Sequence, residues 1–218
     1  MALNVNRKVL PDVKYLSDKA FYAVIGATLL LGFAINAIEV TFFAQYFATW
    51  NPMVFFIVYF VSAIVGVCLN VFSQKPAISF IGYLLVVAPI GMALSLVVPA
   101  TSIAIVRSAV LATVLLSAIF IILAIAYPKF FSSLFRVLSL SLIVALVFQL
   151  IAIFTGFGNN SFLDWIVVLI FSCYVGADVA YATRRPKTLD GAIDSACGIY
   201  LDLVNIFIRL LAILSRRR

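Results

Sequence analysis

The stretch GAIDSACGIYLDLVNIFIRLLAIL, residues 191 to 214, decides the fold. It is long enough to cross a bilayer, for which about 20 mostly apolar residues suffice, yet it carries Asp194, Asp202, Asn205 and Arg209. At about 100° per residue, Asp194, Gly198, Asp202, Asn205 and Arg209 fall within roughly 80° of one another, so the helix has one polar stripe and is apolar elsewhere. Its twelve Ile, Leu, Val and Phe residues supply roughly 5 kcal/mol of insertion energy, against ~3 for one central Asp and as much again for a badly placed Arg. The polar stripe therefore has to be wrapped by other helices or face a wet cavity.

The rest of the chain can do the wrapping. Of 218 residues, 66% are hydrophobic and 11% charged, and the mean hydropathy of +1.23 exceeds what a soluble domain reaches. Apolar runs of 20 residues and more favour helices over the shorter alternating strands of a barrel. The class is an all-α integral membrane protein, a bundle of seven transmembrane helices. Residues 1–19 form an amino-terminal segment, 20–214 the single bundle, and 215–218 a basic tail. The net charge of +7 reflects short basic loops and points to the lipid bilayer, not to nucleic acid. Cys68, Cys173 and Cys197 each lie in an apolar run without a C-x-x-C pair, and read as small core residues. The absence of histidine removes His-based catalysis and His-ligated haem. No cofactor is expected.

Seven spans follow in order, at about 20–48, 53–72, 77–98, 104–126, 134–154, 162–183 and 191–214. The first is too long for a signal-peptide core and reads as a retained span. It holds Asn36 and Glu39 one turn apart. Glu39 either snorkels to the far interface or serves the interior. Trp50, Asn51 and Pro52 form a turn at interface depth; Pro89 frees a carbonyl that a neighbouring helix has to satisfy; Gln149 sits in span five, which ends in the turn TGFGNNS. The amino-terminal segment and the loops after spans two, four and six hold Arg7, Lys8, Lys14, Lys19, Lys75, Lys129, Arg136, Arg184, Arg185 and Lys187, while the opposite loops hold only Arg107. The amino terminus is therefore expected in the cytoplasm. A full seventh crossing then puts the Arg216, Arg217, Arg218 tail on the opposite side, against the same rule. Re-entry of the last helix would satisfy the rule, whereas its unbroken pattern favours crossing.

Asp178, in span six, shares a face with Tyr174 and Tyr181. Its partner is expected on the polar stripe of the last helix. Asp194 and Asp202 are about 12 Å apart along that helix, so a close pair has to join Asp178 to one of them. Two carboxylates together in a low dielectric share a proton and respond to pH; once deprotonated they are hard oxygen ligands suited to Ca²⁺. The structural alternatives are a helix-joining hydrogen bond at Asp178, neutralisation of Arg209 by Asp202, and solvation of Asp194 together with Asp190 at the membrane edge.

GADVAYATRRP, residues 176 to 186, followed by CGIYLDLVNIFIRLLAIL, residues 197 to 214, resembles the signature of the Bax inhibitor-1 family of transmembrane proteins, in particular bacterial-type calcium-leak members. The resemblance implies a seven-helix fold with the last helix central and a pH-sensitive passive Ca²⁺ leak gated by Asp178 and Asp202. Supporting positions would be Arg209, Asn205, Asp194, Glu39 and Tyr174, and the membrane a bacterial plasma membrane. The partners expected are Ca²⁺ and protons. Two further functions fit the same residues. One is a non-transporting regulator that binds other membrane proteins, such as a quality-control protease. The other is an intramembrane diaspartyl protease, whose Gly-x-Gly-Asp is partly matched by Gly176, Ala177 and Asp178. The expectation is that the protein is not an enzyme.

Overall fold

Helix ends follow the capping residues of the sequence. The computed structural model describes residues 14–154 and 161–216. Helix α1 (Asp18–Ile38) begins where the Ser17 hydroxyl accepts from the Ala20 amide at 3.3 Å, and continues through a π-helical turn, Glu39–Phe43, into α2 (Ala44–Ala48). Asn51 caps α3 (Pro52–Phe72) by accepting from the Met53 amide at 2.9 Å, with Pro52 in the first turn where no N–H is needed. The remaining helices are α4 (Pro76–Val97), α5 (Ile103–Ala126), α6 (Pro128–Ser133), α7 (Phe135–Phe154), α8 (Ser161–Ala182) and α9 (Leu189–Arg216).

Six helices among the described residues are long and apolar enough to cross a membrane. They correspond to every expected span but the fifth. That one falls on α7, whose described apolar part, Phe135–Ala145, is shorter. The short helix α6 lies in the connection between the expected fourth and fifth spans, with Pro128 as its first residue, where no N–H is needed. The turn TGFGNNS up to Asn160, the side chain of Gln149, residues 1–13 and Arg217 and Arg218 lie outside the described residues.

Among the described residues the chain forms two compact units, one of residues 14–102 and 185–200, the other of 103–154, 161–184 and 201–216. In the first unit α4 is the hub, packed against α1, the π turn, α2 and α3. Its apolar window is 56% buried, against 11% for α3, which presents Met53, Phe56, Val61 and Phe72 outward as a lipid-facing helix does. Small residues let the two backbones meet, since a Cβ on Gly66 would stand 2.6 Å from the Gly82 carbonyl oxygen. Cys68 on this helix is exposed, so only Cys197 fits the small-core reading fully. Pro89 removes the N–H that would bond the Leu85 carbonyl; the Ser62 hydroxyl of α3 donates to that carbonyl at 2.9 Å instead.

In the second unit α8 is the hub, packed against α5, α6 and α7. Val167, Ile170 and Ala177 close on Leu138 and Ala145 of α7, while Ala180 meets Ala124 and Phe131. The last helix is one uninterrupted run of 28 residues. Its first part, through Tyr200, belongs to the first unit and the rest to the second.

Candidate functional site

Asp202 is the most deeply placed acid of the last helix's polar stripe, 6% exposed. It lies within electrostatic reach of Asp178. Its Oδ2 accepts no hydrogen bond among the described residues, and neither oxygen of a buried carboxylate is cheaply left bare. Asp178 is half-buried. Tyr174 lies in the field of both acids and donates its hydroxyl to Ser139 Oγ at 3.3 Å. Phe135 packs its ring edge-on against Tyr174 and Tyr181, which fixes the face of α8 that carries Asp178. Gly176, two residues earlier, lies under the Phe131 ring, where any side chain would collide. Packing accounts for that glycine without a protease motif.

The other charged residues of the stripe have partners that sequence reasoning did not assign. Arg209 donates to Asp164 Oδ1 at 3.0 Å, and Arg216 donates to Asp164 Oδ2 at 2.5 Å. Asp164 is 4% exposed. Arg209 is thus bound to the first turn of α8. Asp164 at the start of α8 meets Arg209 and Arg216 near the end of α9, while Asp178 near the end of α8 lies in the field of Asp202 earlier in α9, the order that antiparallel helices give.

Asp194 is buried, not solvated. It receives Arg185 Nη2 at 2.9 Å, and Asp190, also buried, accepts from Ser79 Oγ at 2.6 Å. The reason is that the basic turn folds onto the start of α9 in place of projecting to solvent. Asn205 donates to the Leu201 carbonyl one turn back, a local bond that links it to no other helix.

A second polar cluster occupies the first unit. Asn36 Nδ2 donates to the Val87 carbonyl at 3.1 Å and approaches Glu39 Oε2 at 3.4 Å; the Tyr200 hydroxyl donates to Asn36 Oδ1 at 2.5 Å. Tyr83, edge-on to Tyr200, donates to the Thr28 carbonyl at 2.7 Å. Glu39 does not snorkel out alone. It rests on Gly91, where a Cβ would overlap its carboxylate. Tyr83 and Tyr200 were missed because an aromatic in an apolar run carries no periodic signal of its hydroxyl's use.

These features define a polytopic α-helical membrane protein in which Asp178 of α8 and Asp202 of α9 lie within electrostatic reach of each other. The chain belongs to the Bax inhibitor-1 family: the family model described as "Inhibitor of apoptosis-promoting Bax1" matches residues 14–218. A curated relative, Protein LIFEGUARD 4 of Arabidopsis thaliana, is 27% identical over 212 residues, covering 93% of this chain and 85% of that protein.

Proposed function

We propose that the protein is a pH-sensitive passive pathway for Ca²⁺, gated by a proton shared between Asp178 of α8 and Asp202 of α9. The observation that carries this reading is a carboxylate, Asp202, buried with one bare oxygen and facing a second carboxylate. Two such groups cannot both ionise in a low dielectric, so they hold one proton between them and the helices stay together. Loss of the proton sets two negative charges against each other. The helices part, and the exposed oxygens attract a hard divalent cation. Among the described residues no group of three His, Cys, Asp or Glu could cage a metal. Two carboxylates fall short of the six to eight oxygens of a resident Ca²⁺ site, which suits passage better than storage.

In this reading α7 completes a seven-helix bundle with α9 at its centre. The amino terminus is cytoplasmic, supported by the ten basic residues on that side, and the membrane is a bacterial plasma membrane. The test is Ca²⁺ entry into proteoliposomes between about pH 6 and 8, the range over which a shared proton titrates, for wild type, Asp178→Asn and Asp202→Asn. Flux that depends on pH in the wild type and loses that dependence in either variant is the expected result. Flux no greater than in empty liposomes at every pH would end the proposal.

A second reading is favoured by the description of the family as inhibitors of apoptosis-promoting Bax1. The chain would then be a non-transporting regulator binding other membrane proteins. In that case the two Asp→Asn changes alter partner binding and leave ion flux at background.

A further inference from the structure

Glu39 is the sole glutamate of the chain, and the shared-proton pair makes no use of it. It stands in a helix eleven residues before Trp50, about 16 Å of rise, facing Gly91, which lies six residues or about 9 Å from the end of α4 at Val97. That position is inside the apolar layer, where an ionised acid is costly without a partner. The ion pairs among the described residues all involve aspartates. Yet the site is constructed: α1 takes a π turn starting at Glu39, a feature that clusters at functional positions, and α4 offers a glycine where any side chain would displace the carboxylate.

The donor set selects the ligand. Asn36 turns its amide nitrogen toward Glu39 and its oxygen toward the Tyr200 hydroxyl. A metal ion would therefore meet one carboxylate and an N–H, far from the six or more oxygens that Ca²⁺ takes. One carboxylate beside an amide N–H, inside the apolar layer, fits a proton. The titratable group whose field meets it is Tyr200 of α9, beside which stand Tyr83 of α4 and Cys197, and α3 carries no charged residue. None is a competing acid or a base that would hold Glu39 ionised.

We propose that Glu39 is a second proton-binding site, separate from the aspartate pair, and that its protonation state sets the grip of Asn36 on Tyr200. Ionised Glu39 draws the Asn36 N–H to itself and so orients the amide oxygen toward the tyrosine. Protonated Glu39 no longer needs that donor, and the amide nitrogen is then held by the Val87 carbonyl alone, which loosens its orientation toward Tyr200. The proton is taken from and returned to water, with no other bond made or broken. The last helix is thereby held at Tyr200, two residues before Asp202 in the same helix.

Because the chain has one glutamate, glutamate labelled with ¹³C at the side-chain carboxyl reports this group alone in the unaltered protein. We would record the resonance in lipid nanodiscs across pH, in wild type and in the Asp178→Asn/Asp202→Asn double variant. The expected result is one titrating resonance in both proteins, with proton binding about tenfold tighter, or about one pH unit, in Asn36→Leu, and a smaller tightening in Tyr200→Phe. A resonance that does not titrate, or one that titrates like a free side chain and ignores Asn36 and Tyr200, overturns the proposal. Titration that vanishes in the double variant overturns it too, since Glu39 would then only follow the pair. None of these outcomes depends on ion flux, so the leak can fail while this site stands, and the reverse.

Discussion

Asp164 and Asp202 are buried to nearly the same depth in one unit, 4% and 6% exposed, and meet opposite neighbours. Asp164 receives two guanidiniums, each on its own oxygen. Asp202 meets the charge of another acid and has an oxygen with no donor among the described residues. Burial alone therefore does not distinguish the two acids; the sign of the neighbour does. An acid among arginines is paired and joins helices. An acid beside an acid is poised to change state.

The comparison is broken most sharply at Asp164. Asp164→Asn leaves Arg209 and Arg216 without their carboxylate, and removing one member of a buried ion pair costs 3–5 kcal/mol where water is fully excluded. The guanidiniums here are 28% and 33% exposed, so we expect a loss of about 2 kcal/mol, read as a lowered melting midpoint in detergent. A variant that melts with the wild type would show that this pair holds nothing together.

Asp202→Asn should do the opposite. It removes a repulsion and can be neutral or stabilising by about 1 kcal/mol. Its signature is in the pH dependence. If the folded pair holds a proton that separated aspartates would release, the folded state binds more protons than the unfolded, and stability falls as pH rises through that range. In Asp202→Asn that slope disappears. Equal slopes in variant and wild type, measured by melting at a series of pH values, would contradict the shared proton.

How legible this was depended on how far apart the partners lie. The spans were readable from apolar runs, and Asn51 and Pro52 marked the turn before α3 because a cap is a local event. Asp178 and Asp202 stood out because each interrupts such a run. Asp164 did not, since an acid in the first turn of a span looks like an ordinary interfacial residue, and its partners are 45 and 52 residues away. Asp194 was misjudged because the sequence shows a basic turn next to it without showing that Arg185 folds back. The contribution of Tyr200 is carried by a hydroxyl 164 residues from its acceptor, a distance that no helical periodicity spans.

Within the paired class, Asp194 offers a milder test than Asp164. Its partner Arg185 is 17% exposed. Arg185→Gln keeps a shorter, neutral donor and removes the charge, so the cost should be about 1 kcal/mol. No change in the melting midpoint would place Asp194 outside the structural class and reopen it as a partner for Asp178.

The smallest expected effect distinguishes the two arginines on Asp164. Arg216 sits at the last described turn of α9 and is 33% exposed, whereas Arg209 is a further two turns inside the helix. In Arg216→Gln the acid keeps Arg209 and water can reach the vacated oxygen, so the loss should be about 0.5 kcal/mol. Arg209→Gln should cost more, because its place is filled from inside the bundle and not by solvent. If Arg216→Gln instead proves the more damaging, the end of the last helix is held by its tail, and Asp164 acts as a terminal clasp. That outcome would also explain how a helix ending in basic residues tolerates a full crossing: one arginine of the tail is neutralised by a carboxylate already present at the start of α8.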